Sequence, residues 1–226
     1  MGDALGLKPL FSGICGCAAN GSGNSSECDQ QDSKQAVNSI ATKPMPTQYA
    51  SGCLQQFTFL STTMPATTDL CDAHESKLAN GTLRVLAGNF HHYGKHKAFS
   101  GVVKTLKVFE DNSLVRAAVE NAGDGHVLVV DGSASLRCAL LGGNLGKLAE
   151  KNGWAGVVLN APIRDADEID DCAIGVRALG TCPVKSKKTG AGNFDVPLAF
   201  GGVTVKPGDW CYADRDGVLF SDLELA

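Results

Sequence analysis

The run Val127-Leu128-Val129-Val130-Asp131 constrains the fold more than any other stretch of the chain. Four consecutive apolar residues, three of them β-branched, suit a strand buried on both faces. A second run of this kind, Val157-Val158-Leu159, follows. Between the two lie a Gly/Ser turn and a stretch from about Gly143 to Asn152. That stretch carries Leu145, Leu148 and Ala149 at helical spacing, and Gly153 closes it as a C-terminal cap. Two buried strands around an amphipathic helix need a sheet with helices packed against it, so the fold class is α/β.

The flanking segments fill in this frame. Phe99 to Phe109 alternates toward its end and reads as a strand, and Asn112 caps a helix through Asn121 that Ala122-Gly123 ends. Thr67 and Thr68 are placed to cap an earlier helix, with Asp69 in its first turn and Leu70, Ala73 and Leu78 on its apolar side. Ala178 to Thr181 and Val196 to Phe200 read as short strands. Gly201 to Leu219 is punctuated by Pro207-Gly208-Asp209 and Asp214-Arg215-Asp216-Gly217. Helices therefore fall mainly in the first half of the domain and β structure in the second. Residues 1–62 have a different composition, rich in Ser, Asn, Gly, Gln and Thr, with a low-complexity run from Ala18 to Ser33. They are read as a partly flexible extension, with Leu54 to Leu60 able to dock, and residues 63–226 as the domain.

Charge and cysteine usage exclude several classes. The net charge is -4, and duplex-binding proteins carry a basic face. The densest basic cluster, Lys185-Ser186-Lys187-Lys188, reads as a solvated loop. No stretch of eighteen apolar residues exists to cross a membrane. The chain has nine cysteines, an odd number, and its first twenty residues lack a basic segment followed by a long apolar run. The start Met-Gly-Asp-Ala-Leu-Gly has Gly6 where a myristoylation signal wants Ser or Thr. The expected location is the cytoplasm, with Cys138, Cys172, Cys182 and Cys211 acting as small hydrophobes. Cys15-Gly16-Cys17 has no second pair to complete a zinc site. His91, His92 and His96 read as surface or interface residues, and Lys147 and Lys151 as solvated.

Two strand ends carry the candidate chemistry. One leads to Gly142-Gly143-Asn144-Leu145 and the other to Arg164-Asp165. Ligands in α/β sheets gather at carboxyl ends of strands. Paired glycines let backbone approach a ligand, and the helix they open presents unpaired N–H groups to an anion. Arg164 can grip a carboxylate with two parallel bonds. Asp165 offers a hard oxygen of the kind Mg²⁺ takes, with Glu168 and other acids close behind. On the residues alone, the glycines read first as a tight turn and the acids as a surface loop. Asp131 reads either as a strand-end cap or as a helper at the site. Neither a Walker loop nor a dinucleotide fingerprint is present.

From about Thr67 to Ser221 the chain resembles the RraA-like group, which comprises the regulator of ribonuclease activity A and the class II 4-hydroxy-4-methyl-2-oxoglutarate aldolases. The stretches that carry the resemblance occur in family order: Thr67 to Ala73, Lys107 to Asn112, Val127 to Gly132, Gly142 to Leu145, Asn152 to Gly156, Ile163 to Asp165, Phe200 to Val205 and Tyr212 to Asp214.

The resemblance implies a compact swivelling-type β/β/α domain, usually a homotrimer. In its aldolase branch it implies that the Gly142, Gly143, Asn144 and Leu145 backbone holds substrate oxygens, Arg164 binds the 2-oxo acid, and Asp165 holds Mg²⁺ or Mn²⁺. The implied activity is a metal-dependent lyase that cleaves 4-hydroxy-4-methyl-2-oxoglutarate to pyruvate and decarboxylates oxaloacetate through one enolate. Asp131 or Glu168 would help water accept the proton. The alternative is a non-enzymatic regulator that binds a ribonuclease. Retention of the Arg164-Asp165 pair favours the lyase. A methyltransferase, a third label in this group, would need a glycine-rich S-adenosylmethionine loop after its first strand, and none is found.

Overall fold

A computed structural model describes residues 64–225. The extension, its cysteines Cys15, Cys17, Cys28 and Cys53, and the Leu54–Leu60 stretch lie outside the described residues.

Three strand–helix connections form the centre. Strand β3 (Phe99–Val108) leads to α3 (Ser113–Glu120), then β4 (Val127–Asp131), α4 (Gly143–Lys151), β5 (Gly156–Asn160), α5 (Ala166–Asp170) and β6 (Gly175–Ala178). The four strands pair in parallel, in that order. Every residue of β4, β5 and β6 is buried, as the unbroken apolar runs require. The sheet continues beyond this centre. On one side, β10 (Trp210–Ala213) pairs with the first half of β3, followed by β11 (Val218–Ser221) and β1 (Leu83–Val85), all antiparallel. On the other, β2 (His91–Tyr93) lies antiparallel on β6. A short β7 (Gly192–Phe194) joins the end of β3, and β8 (Leu198–Phe200) and β9 (Val203–Val205) form a separate hairpin.

Two cores result. Leu106, Leu128, Val130, Leu159 and Val176 face the helices and meet Val115, Leu145 and Ile169. Val103, Val129 and Val158 face the other way, onto Leu198, Val205, Cys211, Val218 and Phe220. This is the mixed α/β architecture that the sequence implies, β-rich in its second half, and its sheet is curled and its helices few.

Three local readings change. Thr67 is the first residue of α1 (Thr67–Ala73), not its cap. Its N–H and hydroxyl both donate to the Asp214 carboxylate at 2.7 Å, so a distant residue closes this helix end. His74 then breaks the run, and α2 (Glu75–Asn80) ends at Gly81 with φ +80°. Asn112 makes no side-chain cap bond to α3, and Asp111 accepts the Ser113 N–H at 2.7 Å instead. The strand expected at 178–181 lies at Gly175–Ala178. Gly156 and Gly175 face the Phe99 ring so closely that a Cβ there would sit 2.3 Å and 2.0 Å from ring carbons. Packing against that ring, rather than β propensity, selects these glycines. Among the described residues no helix is long and apolar enough to cross a membrane, and Cys71, Cys138, Cys172, Cys182 and Cys211 are free thiols.

Candidate active site

Backbone pairing beyond the strand ends brings the candidate residues together. Leu141 bridges Ile163 in parallel, and Ile163 bridges Thr181. The Leu140 N–H donates to Pro162 O at 3.0 Å, and the Arg164 N–H to Leu141 O at 2.9 Å. Chain 139–142 therefore runs beside chain 161–164, and Gly142-Gly143 ends beside Arg164-Asp165. Asp165 takes a left-handed conformation at φ +54° as the N-cap residue of α5, which costs a non-glycine residue strain of about 1–3 kcal/mol. Its carboxylate lies 3.2 Å from Arg164 Nε and accepts the Gly143 N–H at 3.4 Å.

The paired glycines are needed for this approach. A Cβ on Gly142 would lie 3.0 Å from Asp165 Oδ2 and 3.2 Å from Arg164 Nε. A Cβ on Gly143 would lie 2.5 Å from Glu168 Oε2. Three acidic or basic side chains thus pack against bare backbone at the start of α4.

The cleft there has a volume of about 150 Å³. Gly142, Asn144, Leu145, Arg164 and Asp165 line it, as do Asn112, Arg116, Lys185, Ser186 and Lys188. Its charged lining is four cationic side chains, Arg116, Arg164, Lys185 and Lys188, and one carboxylate, Asp165, with Arg116 also paired to Glu120 at 3.2 Å. The Lys185–Lys188 cluster is therefore more than a solvated loop. Its lysines are exposed, but two of them border the cleft, and Ser186 is buried with its Oγ unpartnered. Local pattern carries no sign of this, because the Ala139–Lys185 bridge that places the cluster is long-range.

Asp111 holds this wall in place. Oδ2 accepts the Thr189 hydroxyl at 2.6 Å, the Gly190 N–H at 3.0 Å and the Thr189 N–H, while Oδ1 accepts Ser113. Burial pushes the Asp111 carboxyl up, but the bonds from Thr189 and Ser113 outweigh it and hold it well below the usual range. Sequence reading passed over this residue.

Neither helper candidate lines the cleft. Asp131 is buried, accepts the Ser133 N–H at 2.9 Å and the Asn160 amide at 2.8 Å, and closes the turn after β4 without lining the cleft. Glu168 stands over Gly143 with Oε2 2.7 Å from Lys147 Nζ. Lys147 is thus half of an exposed ion pair.

For a divalent cation, the donors at hand are Asp165 and, one helical turn on, Glu168. Among the described residues no group of three His, Cys, Asp or Glu side chains converges. One or two carboxylates fit Mg²⁺, whose shell water and substrate oxygens complete.

A family model described as RraA-like, Aldolase/RraA, matches residues 67–220. The chain belongs to the RraA-like family. It is 61% identical over 161 residues to a protein of Cupriavidus necator provisionally named 4-hydroxy-4-methyl-2-oxoglutarate aldolase, covering 71% of this chain and 98% of that one. A Burkholderia mallei protein with the same provisional name is 62% identical over 159 residues, covering 70% and 96%. Among solved structures of RraA-like proteins, the RNA-processing inhibitor RraA of Thermus thermophilis superposes with TM-score 0.68 at 44% identity, covering 73% and 96%. A Geobacillus kaustophilus protein described as an S-adenosylmethionine:2-dimethylmenaquinone methyltransferase gives TM-score 0.68 at 49% identity, covering 71% and 97%.

Proposed function

We propose that this RraA-like protein is a lyase for small dianionic 2-oxo acids, cleaving 4-hydroxy-4-methyl-2-oxoglutarate and decarboxylating oxaloacetate. The observation that carries the reading is a cleft lined by Arg116, Arg164, Lys185 and Lys188 together with Asp165 and the bare Gly142 backbone. Such a cleft favours a substrate with two carboxylates and leaves one anionic oxygen to engage a cation.

Arg164 binds the carboxylate next to the keto group. At the start of α4 the Asn144 N–H is left to face the oxygens beside it, the Gly143 N–H being held by Asp165 and the Leu145 N–H by Gly142 O. Lys185 and Lys188 face the second carboxylate. Asp165 is the residue to hold a divalent cation, which when bound would polarise the 2-oxo group as a Lewis acid. In the cleavage, the C4 hydroxyl loses its proton as the C3–C4 bond breaks. The bonding pair moves toward C2 and gives pyruvate enolate, while C4 becomes the keto carbon of a second pyruvate. Protonation at C3 completes the first pyruvate. In oxaloacetate, loss of CO₂ leaves the same enolate. Arg164 faces the charge that develops, and a fixed donor aimed at developing charge is worth about 3–4 kcal/mol. Glu168, beside Gly143 and paired with Lys147 just outside the cleft lining, would have to leave that pair to take the hydroxyl proton through water.

Pyruvate release from each substrate with Mg²⁺ tests the reading. Wild type should turn over both, EDTA should stop it, and Arg164→Ala should lose about 10²–10³-fold in kcat. No release above the metal-only rate would sink it. Likeness to the Thermus inhibitor at 44% identity supports a second reading, a regulator that binds a ribonuclease. Ribonuclease inhibition by an Arg164→Ala protein that has lost all lyase turnover would favour that role.

A further inference from the structure

A second cationic cavity lies on the other face of the sheet. Arg177 sits in β6 opposite Val158 of β5 and His92 of β2. Its neighbours Val176 and Ala178 face the helices, so its side chain enters the face that carries Val129 and Val158. It is 3% exposed, and neither its Nε nor its Nη2 has a partner. No ion pair reaches it among the described residues. Asp214, a carboxylate that acts on it without an ion pair, already accepts two bonds from Thr67 and the N–H groups of Asp216 and Gly217. A buried charge without a partner is costly enough that proteins normally supply one.

The space beside it, about 420 Å³, is lined by Phe90, His92, Lys97, Arg177 and Arg215. No carboxylate is among them. Asp214 and Asp216 line only the adjoining cavity, which shares Phe90, Arg177 and Arg215. None of these residues lines the Arg164 cleft. His92 narrows the ligand further. Its Nε2 lies 2.9 Å from Gly94 O and must donate, which leaves Nδ1 a bare acceptor, buried and unpartnered. Burial, with Arg177 and Lys97 nearby, lowers the His92 pKa and keeps the ring neutral. The cavity therefore offers cations for oxygens and one acceptor for a proton. A carboxylate or sulfate at neutral pH has no proton to give, whereas hydrogen phosphate has one.

We propose that the Arg177 cavity is a second anion site that binds hydrogen phosphate between Arg177, Lys97 and Arg215, with its P–OH donating to His92 Nδ1. The site is independent of the lyase reading.

The test is titration calorimetry with inorganic phosphate and with sulfate at pH 7 and fixed ionic strength. The protein is the full chain carrying Arg164→Ala and Lys188→Ala, which removes competition from the first cleft. One saturable phosphate site is expected, with sulfate about fivefold weaker for want of one hydrogen bond. His92→Phe should erase that preference. Adding Lys97→Ala and Arg215→Ala, both exposed positions, should weaken phosphate about tenfold with the melting temperature of the ligand-free protein unchanged. The same pair in the otherwise native chain should leave pyruvate release unchanged. No phosphate uptake, equal binding of sulfate, or binding that survives the Lys97/Arg215 pair would overturn the proposal. So would a second copy's carboxylate meeting Arg177, seen as failure to bind phosphate together with dissociation of Arg177→Met in sedimentation.

Discussion

Replacing Asp111 by Asn tests how the cleft wall is held. The Asp111 carboxylate accepts four hydrogen bonds, one on Oδ1 and three on Oδ2. An amide keeps one acceptor oxygen. If that oxygen takes the Oδ2 position, the Ser113 N–H loses its partner and meets an NH₂ donor. In the reverse orientation three bonds are lost. The first is cheaper and sets the minimum cost. One charge-assisted bond is worth about 1.5–3 kcal/mol, and the remaining bonds weaken when the acceptor loses its charge. A loss of about 2–4 kcal/mol follows, or roughly 4–16 °C in Tm for a domain of this size. The pH dependence gives a sharper check. The folded carboxyl titrates well below its ordinary value, so its stabilisation is full above that value and fades as pH falls. Wild type should lose stability from about pH 5 downward, and Asp111→Asn should lack that share of the loss. The two Tm curves, recorded by calorimetry, should converge in acid. Because the Lys185–Thr189 chain borders the cleft, KM for oxaloacetate should rise as well. Parallel Tm curves from pH 7 to pH 3 would refute the reasoning.

Gly143→Ala should gain up to about 1 kcal/mol of helix propensity yet be net destabilised by about 1 kcal/mol, because its Cβ would press on Glu168. Urea unfolding checks this, and Glu168→Ala should relieve part of the cost. Gly175→Ala would drive a methyl to 2.0 Å from the Phe99 ring. It should lose about 3 kcal/mol, largely recovered by adding Phe99→Leu. Lys188→Ala should raise KM for oxaloacetate about fivefold with kcat nearly unchanged, since an exposed rim charge contributes about 1 kcal/mol. Steady-state kinetics distinguishes this from Arg164→Ala, which should lower kcat.

The strand–helix–strand centre was legible because both of its strands are buried on two faces and show unbroken apolar runs. Gly153, at φ +75°, closes α4 as read. The Gly142–Leu145 and Arg164-Asp165 pairing was legible as two strand ends, although its meeting point depends on the Leu141–Ile163 bridge. Interactions between distant residues were not legible. Asp214 capping α1, Asp111 gripping Thr189 and the Lys185 chain bordering the cleft all join residues with no shared local pattern. The slip of β6 has the same origin. Gly175 and Arg177 weaken the strand signal, and what they face, the Phe99 ring and the space lined by Phe90, His92, Lys97 and Arg215, lies on other segments.

Exchange of pyruvate methyl protons with D₂O, followed by NMR, tests the central claim most directly, because it needs only the enolate and no cleaved bond. Wild type with Mg²⁺ should exchange the methyl protons well above the metal-only rate, and Arg164→Ala and Asp165→Ala should fall to that rate. Exchange that persists in both variants, or that wild type never shows, would contradict an enolate held at Arg164-Asp165.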